Sequence, residues 1–216
     1  MANNPYEQTM AQYFDLTQAL NSETPVYPGD TPPVINQVCS FGTDGFNLYH
    51  FSGSMHIGTH IDGPMHMSND NRMIADFPVD HFCGNGLLID VRGKKEIVID
   101  TGDRDKVVPG AIVLFFTGWD RYFGSEIYYS EHPALTEETI DFLISRRVKI
   151  VGFDSPSPDH YPFPAHPRLF QNNIFIIENL TNLEPLGKFP TFEIMAFPLK
   201  LAADSSWARV VAMVRE

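Results

Sequence analysis

The sequence predicts an α/β fold in which residues 1–216 form a single domain around a mixed β-sheet. Three observations support this prediction. A length of 216 residues fits one domain. Short apolar runs typical of buried strands outnumber helical segments, and one clear helix lies between two of them. The 43% hydrophobic and 19% charged residues are ordinary for a globular protein with a sizeable core.

Six segments are predicted to be strands. Residues 46–51 alternate loosely between polar and apolar side chains, which predicts a strand leading into residues 56–66. Five further runs are rich in Val, Ile and Phe and are bounded by Gly, Pro or Asp, as buried strands are. These runs are residues 86–91, 111–116, 149–153, 174–178 and 210–214.

The sequence predicts one helix, over residues 136–147. Thr136 suits the N-cap, and the two glutamates that follow it favour a helix N-terminus. An apolar stripe then recurs at helical spacing, formed by Ile140, Leu143 and Ile144. Because this helix lies between the runs at 111–116 and 149–153, it predicts a βαβ unit with parallel strands.

Charge and composition exclude several classes of partner. The net charge of −12, without a long basic run, argues against nucleic acids and anionic membranes. No apolar run reaches transmembrane length, and residues 1–8 lack the basic and apolar regions of a signal peptide. Cys39 and Cys83 form no disulfide framework, which predicts buried free thiols. We therefore expect a cytoplasmic protein.

The most informative segment is residues 56–66, which contains three of the eight histidines and a carboxylate. The candidate ligands are His56, His60, Asp62 and His66. Imidazole nitrogen and carboxylate oxygen bind Zn, Mn and Fe ions. The four residues share one parity, so an extended chain would point them to one side. The alternative is a surface loop that is merely rich in histidine, and the clustering favours the metal site.

A metal site requires a bend in this segment. In a fully extended chain His56 and His60 would lie roughly 13 Å apart, too far to share an ion. Gly58 is the residue best able to provide the bend, because glycine adopts backbone angles that other residues avoid.

The pattern His-x-Gly-Thr-His-x-Asp-x-Pro-x-His resembles that of the metal-dependent cyclase-like hydrolases, a family that includes bacterial kynurenine formamidase and isatin hydrolase. Every fixed position is present at residues 56–66. Four further segments resemble the family in the same order: residues 15–17, 24–32 and 151–159, and His166 followed by residues 177–180. The resemblance implies a swivelling β/β/α architecture.

The resemblance also implies a division of roles. One metal would be held by the residues matching His56, His60, Asp62 and Glu178. A second would be held by those matching Asp62, His166 and Glu178, with both carboxylates bridging. The residue matching His66 would be the general acid/base. The cofactor is expected to be Zn²⁺ or Mn²⁺, as one or two ions, which supply a hydroxide nucleophile from bound water.

Some of these residues have a second interpretation from the sequence alone. Glu178 ends an apolar run and could be an ordinary strand-end carboxylate meeting solvent. His166 lies in a proline-rich segment that suggests a loop. Asp154, Ser155, Ser157 and Asp159 could orient substrate or water, or could form turns around the neighbouring prolines.

The predicted function is hydrolysis of an amide in a small molecule, an arylformamide or a cyclic amide. Tyr27 is the predicted substrate-binding residue, at a position where the formamidases often have a tryptophan that packs on an aromatic substrate. The alternatives are a biosynthetic cyclase or dehydratase, and a metal-binding member of the family without activity. The resemblance and the 12% aromatic content predict a homo-oligomer, a dimer or tetramer.

Overall fold

The computed structural model describes residues 10–215. Residues 1–8, for which the sequence predicts no signal peptide, lie outside this range. The described chain forms strands β1 (Ala11–Asp15), β2 (Val34–Cys39), β3 (Leu48–Ser52), β4 (His60–Asp62), β5 (Cys83–Asp90), β6 (Glu96–Ile97), β7 (Ile112–Phe116), β8 (Ala134–Leu135), β9 (Ile150–Phe153), β10 (Phe175–Glu178), β11 (Phe192–Pro198) and β12 (Ser205–Arg215).

The helices are short except for one. They are α1 (Phe41–Asp44), α2 (Thr101–Arg104), α3 (Glu137–Arg146) and α4 (Ala165–Gln171). Within residues 10–215, five 3₁₀ turns join the larger elements, at Ile74–Asp76, Val79–Phe82, Trp119–Tyr122, Glu126–Tyr128 and Glu184–Lys188. Among the described residues, none of the helices is long and apolar enough to cross a membrane.

Strand β12 closes the main sheet into a barrel. One edge of β12 pairs with β11, while the other pairs with β4 at its beginning and with β1 at its end. The closed ring runs β4-β12-β11-β5-β7-β9-β10, and β1 lies beside β12. In this sheet the pairs β5–β7, β7–β9 and β9–β10 are parallel, and its other pairs are antiparallel. The predicted mixed sheet is thus confirmed, and its closure could not be predicted.

Two apolar cores lie on the two faces of this sheet. Alternate residues of β7 divide between them, with Leu114 in the barrel interior and Phe115 in the outer layer. Helices α3 and α4 cover the outer layer through Leu143 and Phe170. Burial on both faces explains why β7, β9 and β10 appear in the sequence as continuous apolar runs.

The predicted helix and its βαβ unit are confirmed. Thr136 is the N-cap of α3, and its hydroxyl accepts a hydrogen bond from the Thr139 amide at 3.3 Å. Arg147 ends the helix in the left-handed conformation. Strands β7 and β9, on either side of α3 in the sequence, pair in parallel. The predicted strands correspond to β3, β5, β7, β9, β10 and β12, and the last begins five residues earlier than predicted.

Two predictions about local structure were wrong. His166 does not lie in a loop but in the first turn of α4, where Pro164 is the N-cap and Pro167 follows within the same turn. Proline is compatible with a first turn because the amides there have no partner within the helix. Cys39 and Cys83 are free, as predicted, but only half-buried, because they lie at the ends of β2 and β5.

Candidate active site

Strand β4 carries the centre of the motif into the barrel wall, between β10 and β12. Its alternation sends Ile61 into the barrel core and leaves His60 and Asp62 on the opposite face. Glu178, the last residue of β10, is directly opposite His60 in the antiparallel pair. The same-side placement predicted for the motif is therefore found for these two residues on β4.

The bend that brings His56 back towards His60 lies at Gly58. Its φ of 60° is in the left-handed region that glycine adopts without strain. The ring centres of His56 and His60 are 5.1 Å apart, which confirms the predicted turn. The Gly58 carbonyl accepts hydrogen bonds from Asn179 Nδ2 at 3.0 Å and from His60 Nδ1 at 2.8 Å. The first of these holds the bend against the end of β10.

One carboxylate oxygen faces two of these imidazoles. Asp62 Oδ1 lies 3.0 Å from His56 Nδ1 and 3.4 Å from His60 Nε2. The Asp62 side chain is 1% exposed, and His60 is fully buried. A buried carboxylate that faces two imidazole nitrogens is suited to bind a cation between them.

Glu178 extends this cluster towards α4. Its Oε2 lies 3.4 Å from His60 Nε2, and its Oε1 lies 3.5 Å from His166 Nε2. The two oxygens of one carboxylate therefore face imidazoles that come from β4 and from α4. This arrangement suits a carboxylate that bridges two ions.

Two polar atoms of the cluster lack hydrogen-bond partners among the described residues, and this bears on whether a metal ion fits the site. Within residues 10–215, His60 Nε2 and Asp62 Oδ1 are buried and have no hydrogen-bond partner. Ligand atoms lie within 4.8 Å of one another in two overlapping groups: His56, His60 and Asp62, and Asp62, His166 and Glu178. An unsatisfied buried donor or acceptor is costly, and a cation bound to both groups would satisfy it. The residues present therefore fit one or two divalent ions.

The other ring nitrogen of each candidate histidine ligand contacts an oxygen atom of the protein. His166 Nδ1 lies 2.8 Å from Asp159 Oδ1, His60 Nδ1 hydrogen bonds to the Gly58 carbonyl, and His56 Nε2 is 3.4 Å from Asp204 Oδ2. Such contacts orient a metal-binding imidazole and fix which nitrogen carries the proton. Asp159 also accepts a hydrogen bond from the Ala165 amide at 2.5 Å, so it ties α4 to the cluster.

Without a metal, protons balance the charge of this cluster. Burial alone would lower the pKa of His56, but the charge of Asp62 and the hydrogen bond to Asp204 outweigh it and raise the pKa to about 10. His166 is likewise opposed by burial, and its hydrogen bonds to Asp159 and Glu178 raise its pKa to about 10. His56 and His166 are therefore expected to be cationic at neutral pH in the metal-free protein.

Metal binding is expected to release protons, because an imidazole must be neutral to bind an ion. The raised pKa values of His56 and His166 mean that both are protonated below about pH 10, so metal affinity should rise with pH across the neutral range. Calorimetric titration with Zn²⁺ in buffers of different ionisation enthalpy measures the release. His50→Ala, a change on exposed strand β3, should leave the number of released protons unchanged. Binding enthalpies independent of the buffer would contradict the expectation.

The cluster forms the floor of a cavity of about 240 Å³. Tyr27, Tyr129 and Phe163 form an aromatic wall, with ring centres 5.6 Å apart for the two tyrosines and 6.5 Å for Tyr27 and Phe163. Tyr27, the predicted substrate-binding residue, therefore lines the cavity that the candidate ligands face. A larger cleft of about 320 Å³ elsewhere is lined mainly by apolar side chains and offers no comparable set of ligands.

His66 lines the same cavity beside the candidate ligands. A turn closed by a 3.0 Å hydrogen bond from its amide to the Gly63 carbonyl places it there. Its ring centre is 4.3 Å from that of His56 and 6.1 Å from that of His166. Its Nδ1 lies 2.9 Å from Asp204 Oδ2, which leaves Nε2 available.

Sequence reasoning missed Asp204, Tyr129, Phe163 and Asn179. No local pattern marks Asp204, which lies 138 residues from His66. Among residues 154–159, the Ser155 and Ser157 hydroxyls form the local turn, and Asp159 contacts His166. Asp154 is structural, since it accepts hydrogen bonds from the Thr117 and Gly118 amides at the end of β7.

Comparison with known proteins extends the likeness beyond the motif. The Cyclase family model matches residues 14–160. The kynurenine formamidase of Bacillus cytotoxicus is 30% identical over 206 residues, covering 93% of this chain and 97% of that protein. The kynurenine formamidase of Erythrobacter litoralis is 28% identical over 210 residues, covering 94% of each.

Solved structures share the fold along almost the whole chain. An isatin hydrolase bound to the product analogue thioisatinate has a TM-score of 0.84 at 22% identity, covering 95% of this chain and 93% of its own. Isatin hydrolase A from Labrenzia aggregata, bound to benzyl benzoate, has a TM-score of 0.83 at 26% identity, covering 95% and 94%. Because the family model matches more than half of the chain, including residues 56–66, this protein belongs to the Cyclase family.

Proposed function

We propose that this protein is a metal-dependent hydrolase that cleaves an amide bond in a small molecule. The observation that carries the proposal is the convergence of three imidazoles and two carboxylates, of which His60 Nε2 and Asp62 Oδ1 are buried and unsatisfied within the described chain. A further histidine lies beside them in an aromatic cavity. Relatives with this fold include kynurenine formamidases and isatin hydrolases. Amide hydrolysis is the chemistry that these two groups of enzymes share, and this supports the proposal.

The metal would be held by His56, His60, Asp62, His166 and Glu178. Nitrogen and oxygen ligands of this kind suit Zn²⁺ or Mn²⁺, and the overlap of the two ligand groups at Asp62 supports a two-ion arrangement. When bound, such an ion lowers the pKa of a water molecule and polarises a carbonyl group.

His66 is proposed as the general acid/base. Its Nδ1 contacts Asp204 at 2.9 Å, so Nε2 is the nitrogen available to substrate. A neutral imidazole with its proton on Nδ1 can accept a proton at Nε2 and return that proton to the leaving nitrogen of the amide. The turn at residues 63–66 and Asp204 hold the ring in place during both transfers.

The cavity favours a planar aromatic amide of modest size. Its volume of about 240 Å³ suits a small ring system, and the wall of Tyr27, Tyr129 and Phe163 offers edges and faces for aromatic packing. Arylformamides and cyclic aryl amides are therefore the proposed substrates.

A substrate screen tests this proposal. Purified protein loaded with Zn²⁺ or Mn²⁺ is assayed against N-formyl anilides, aromatic lactams and aryl esters. Hydrolysis of at least one amide that stops on chelation is the expected result. Cyclisation or dehydration of a linear precursor without amide cleavage would instead favour a biosynthetic enzyme. Metal binding without turnover on any of these compounds would favour a binding role.

We further propose that residues 1–216 form one domain of the swivelling β/β/α type. The closed barrel and its two cores, which draw on segments from Leu16 to Val214, support this assignment. The free thiols Cys39 and Cys83 support the cytoplasm as the compartment, because thiols remain reduced there.

A homo-oligomer, a dimer or tetramer, is proposed from the hairpin of β2 and β3. This hairpin forms a separate two-stranded sheet outside the barrel. Three of its large apolar side chains are strongly exposed: Val38 at 55%, Phe41 at 71% and Tyr49 at 61%. A two-stranded hairpin is only marginally stable in water, and an exposed apolar surface of this kind is typical of protein interfaces.

The double variant Val38→Ser/Phe41→Ser is expected to shift the oligomer to a monomer at micromolar concentration, because it removes apolar contacts from the proposed interface. Light scattering coupled to size exclusion measures the mass. Val79→Ser, at a site 69% exposed on the 3₁₀ turn Val79–Phe82, is the matched control. A monomeric wild-type protein would refute the proposal, and a control variant that alone becomes monomeric would move the interface away from the hairpin.

A further inference from the structure

Asp204 joins two functional histidines through a single oxygen atom. Its Oδ2 lies 2.9 Å from His66 Nδ1 and 3.4 Å from His56 Nε2. We propose that Asp204 is a positioning residue that fixes the tautomers of both imidazoles, so that His66 presents Nε2 to the substrate and His56 presents Nδ1 to the metal. This inference rests on the proposed function, which supplies the roles of the two histidines.

The backbone holds Asp204 in register with the motif. Its carbonyl accepts a 2.9 Å hydrogen bond from the Gly63 amide, and Ser205, the next residue, is opposite Asp62 in the β4–β12 pair. A Cβ at Gly63 would lie 3.0 Å from the Asp204 carbonyl, so the close approach favours glycine. The carboxylate therefore comes from the residue that immediately precedes β12, the strand that closes the barrel, and its position depends on that closure.

The side chain has a third contact that fixes its orientation. The Ser205 hydroxyl donates to Asp204 Oδ1 at 3.2 Å and lies 3.3 Å from His56 Nε2. With Oδ1 held by Ser205, Oδ2 is the oxygen that faces both rings. His66 Nδ1 hydrogen bonds to Oδ2, and His56 Nε2 faces Oδ2 and the Ser205 hydroxyl. With a metal bound, protons on these two nitrogens would leave His56 Nδ1 free beside Asp62 and His66 Nε2 free in the cavity.

His56, His66 and Asp204 also have ligand atoms close enough together to hold a cation. That alternative is disfavoured by His56, whose Nδ1 already lies 3.0 Å from Asp62 Oδ1 among the candidate ligands. Binding ions through both nitrogens would require the ring to lose both of its protons. A hydrogen-bonded carboxylate makes no such demand, so positioning is the role that the geometry supports.

The main test is a double-mutant cycle between Asp204 and His66 in the metal-loaded enzyme. At saturating metal, Asp204→Ala is expected to lower kcat on an unactivated formanilide roughly ten- to hundredfold, with little change in KM. Its metal affinity should also fall, because His56 loses the carboxylate that orients it. If Asp204 acts through His66, adding Asp204→Ala to His66→Ala should cause almost no further loss. Losses that multiply, or a metal affinity of Asp204→Ala equal to that of the wild type, would overturn the proposal.

The leaving group gives a second kinetic measurement. An aryl ester with an acidic leaving group needs little proton donation, so Asp204→Ala should affect its hydrolysis much less than that of the anilide. Equal losses on both substrates would indicate general damage to the site and would overturn the positioning role. Asp105→Ala removes the same charge from a side chain that is 99% exposed, and it should leave both rates unchanged.

A measurement independent of activity separates this proposal from the proposed function. Nitrogen-15 NMR of the zinc-loaded protein reports which ring nitrogen of His66 carries the proton, with the signal assigned by its loss in His66→Ala. A proton on Nδ1 in the wild type and a changed tautomer in Asp204→Ala are expected. If the enzyme cleaves no amide, the proposed function fails, while an unchanged tautomer would overturn the role of Asp204.

Discussion

His66→Ala is expected to keep its metal and its fold and to lose roughly 10²-fold or more in turnover on an amide substrate, the usual scale for a general acid/base. His66 lies outside the two ligand groups that overlap at Asp62, so removing it leaves those five residues in place. The loss should fall on kcat, because proton transfer to the leaving nitrogen occurs in the transition state.

Steady-state kinetics and elemental analysis of the same preparation test this expectation. His50→Ala, which removes an exposed histidine from β3, is the control and should behave as the wild type. Near-normal turnover in His66→Ala would show that another group moves the proton. Loss of metal in this variant would instead make His66 a ligand.

His60→Ala should lose metal and activity together. His60 is fully buried, and its Nε2 faces two carboxylates, Asp62 at 3.4 Å and Glu178 at 3.4 Å. Removing this imidazole takes away one nitrogen ligand that lies between the two carboxylates, so the metal should bind more weakly. We expect activity near the background at metal concentrations that saturate the wild type.

Thermal unfolding at increasing metal concentration measures the metal affinity of the wild type and of His60→Ala. Saturating Zn²⁺ should raise the unfolding temperature of the wild type, because a ligand that binds the native state stabilises it. It should raise that of His60→Ala much less. A variant that takes up metal with the wild-type affinity would show that His60 is not a ligand.

Local features of this fold could be predicted from the sequence because short-range physics determines them. The Thr136 cap and the apolar stripe after it define α3, and burial on both faces makes β7, β9 and β10 recognisable. The bend at Gly58 followed from the distance that an extended chain would place between two histidines. In each case, the cause lies within a few residues of its effect.

Features that depend on long-range pairing could not be predicted. Closure of the barrel requires β12 to pair with β4, more than 140 residues away along the chain, and only that pairing brings Asp204 to His66. Strand β11 was missed although its residues alternate between buried and exposed. The sequence suggests a loop at His166 because its neighbouring prolines are typical of loops, whereas the contact from Asp159 to the Ala165 amide exists only in the folded chain.

The most direct test of metal-dependent amide hydrolysis is elemental analysis combined with chelation and reconstitution. Protein purified without chelator should contain Zn or Mn at up to two ions per chain and should hydrolyse an N-formyl anilide. Removal of the metal should abolish turnover, and stoichiometric Zn²⁺ or Mn²⁺ should restore it. Chelated, metal-free protein that cleaves the amide at the original rate, or protein that takes up neither metal, would contradict the proposed function.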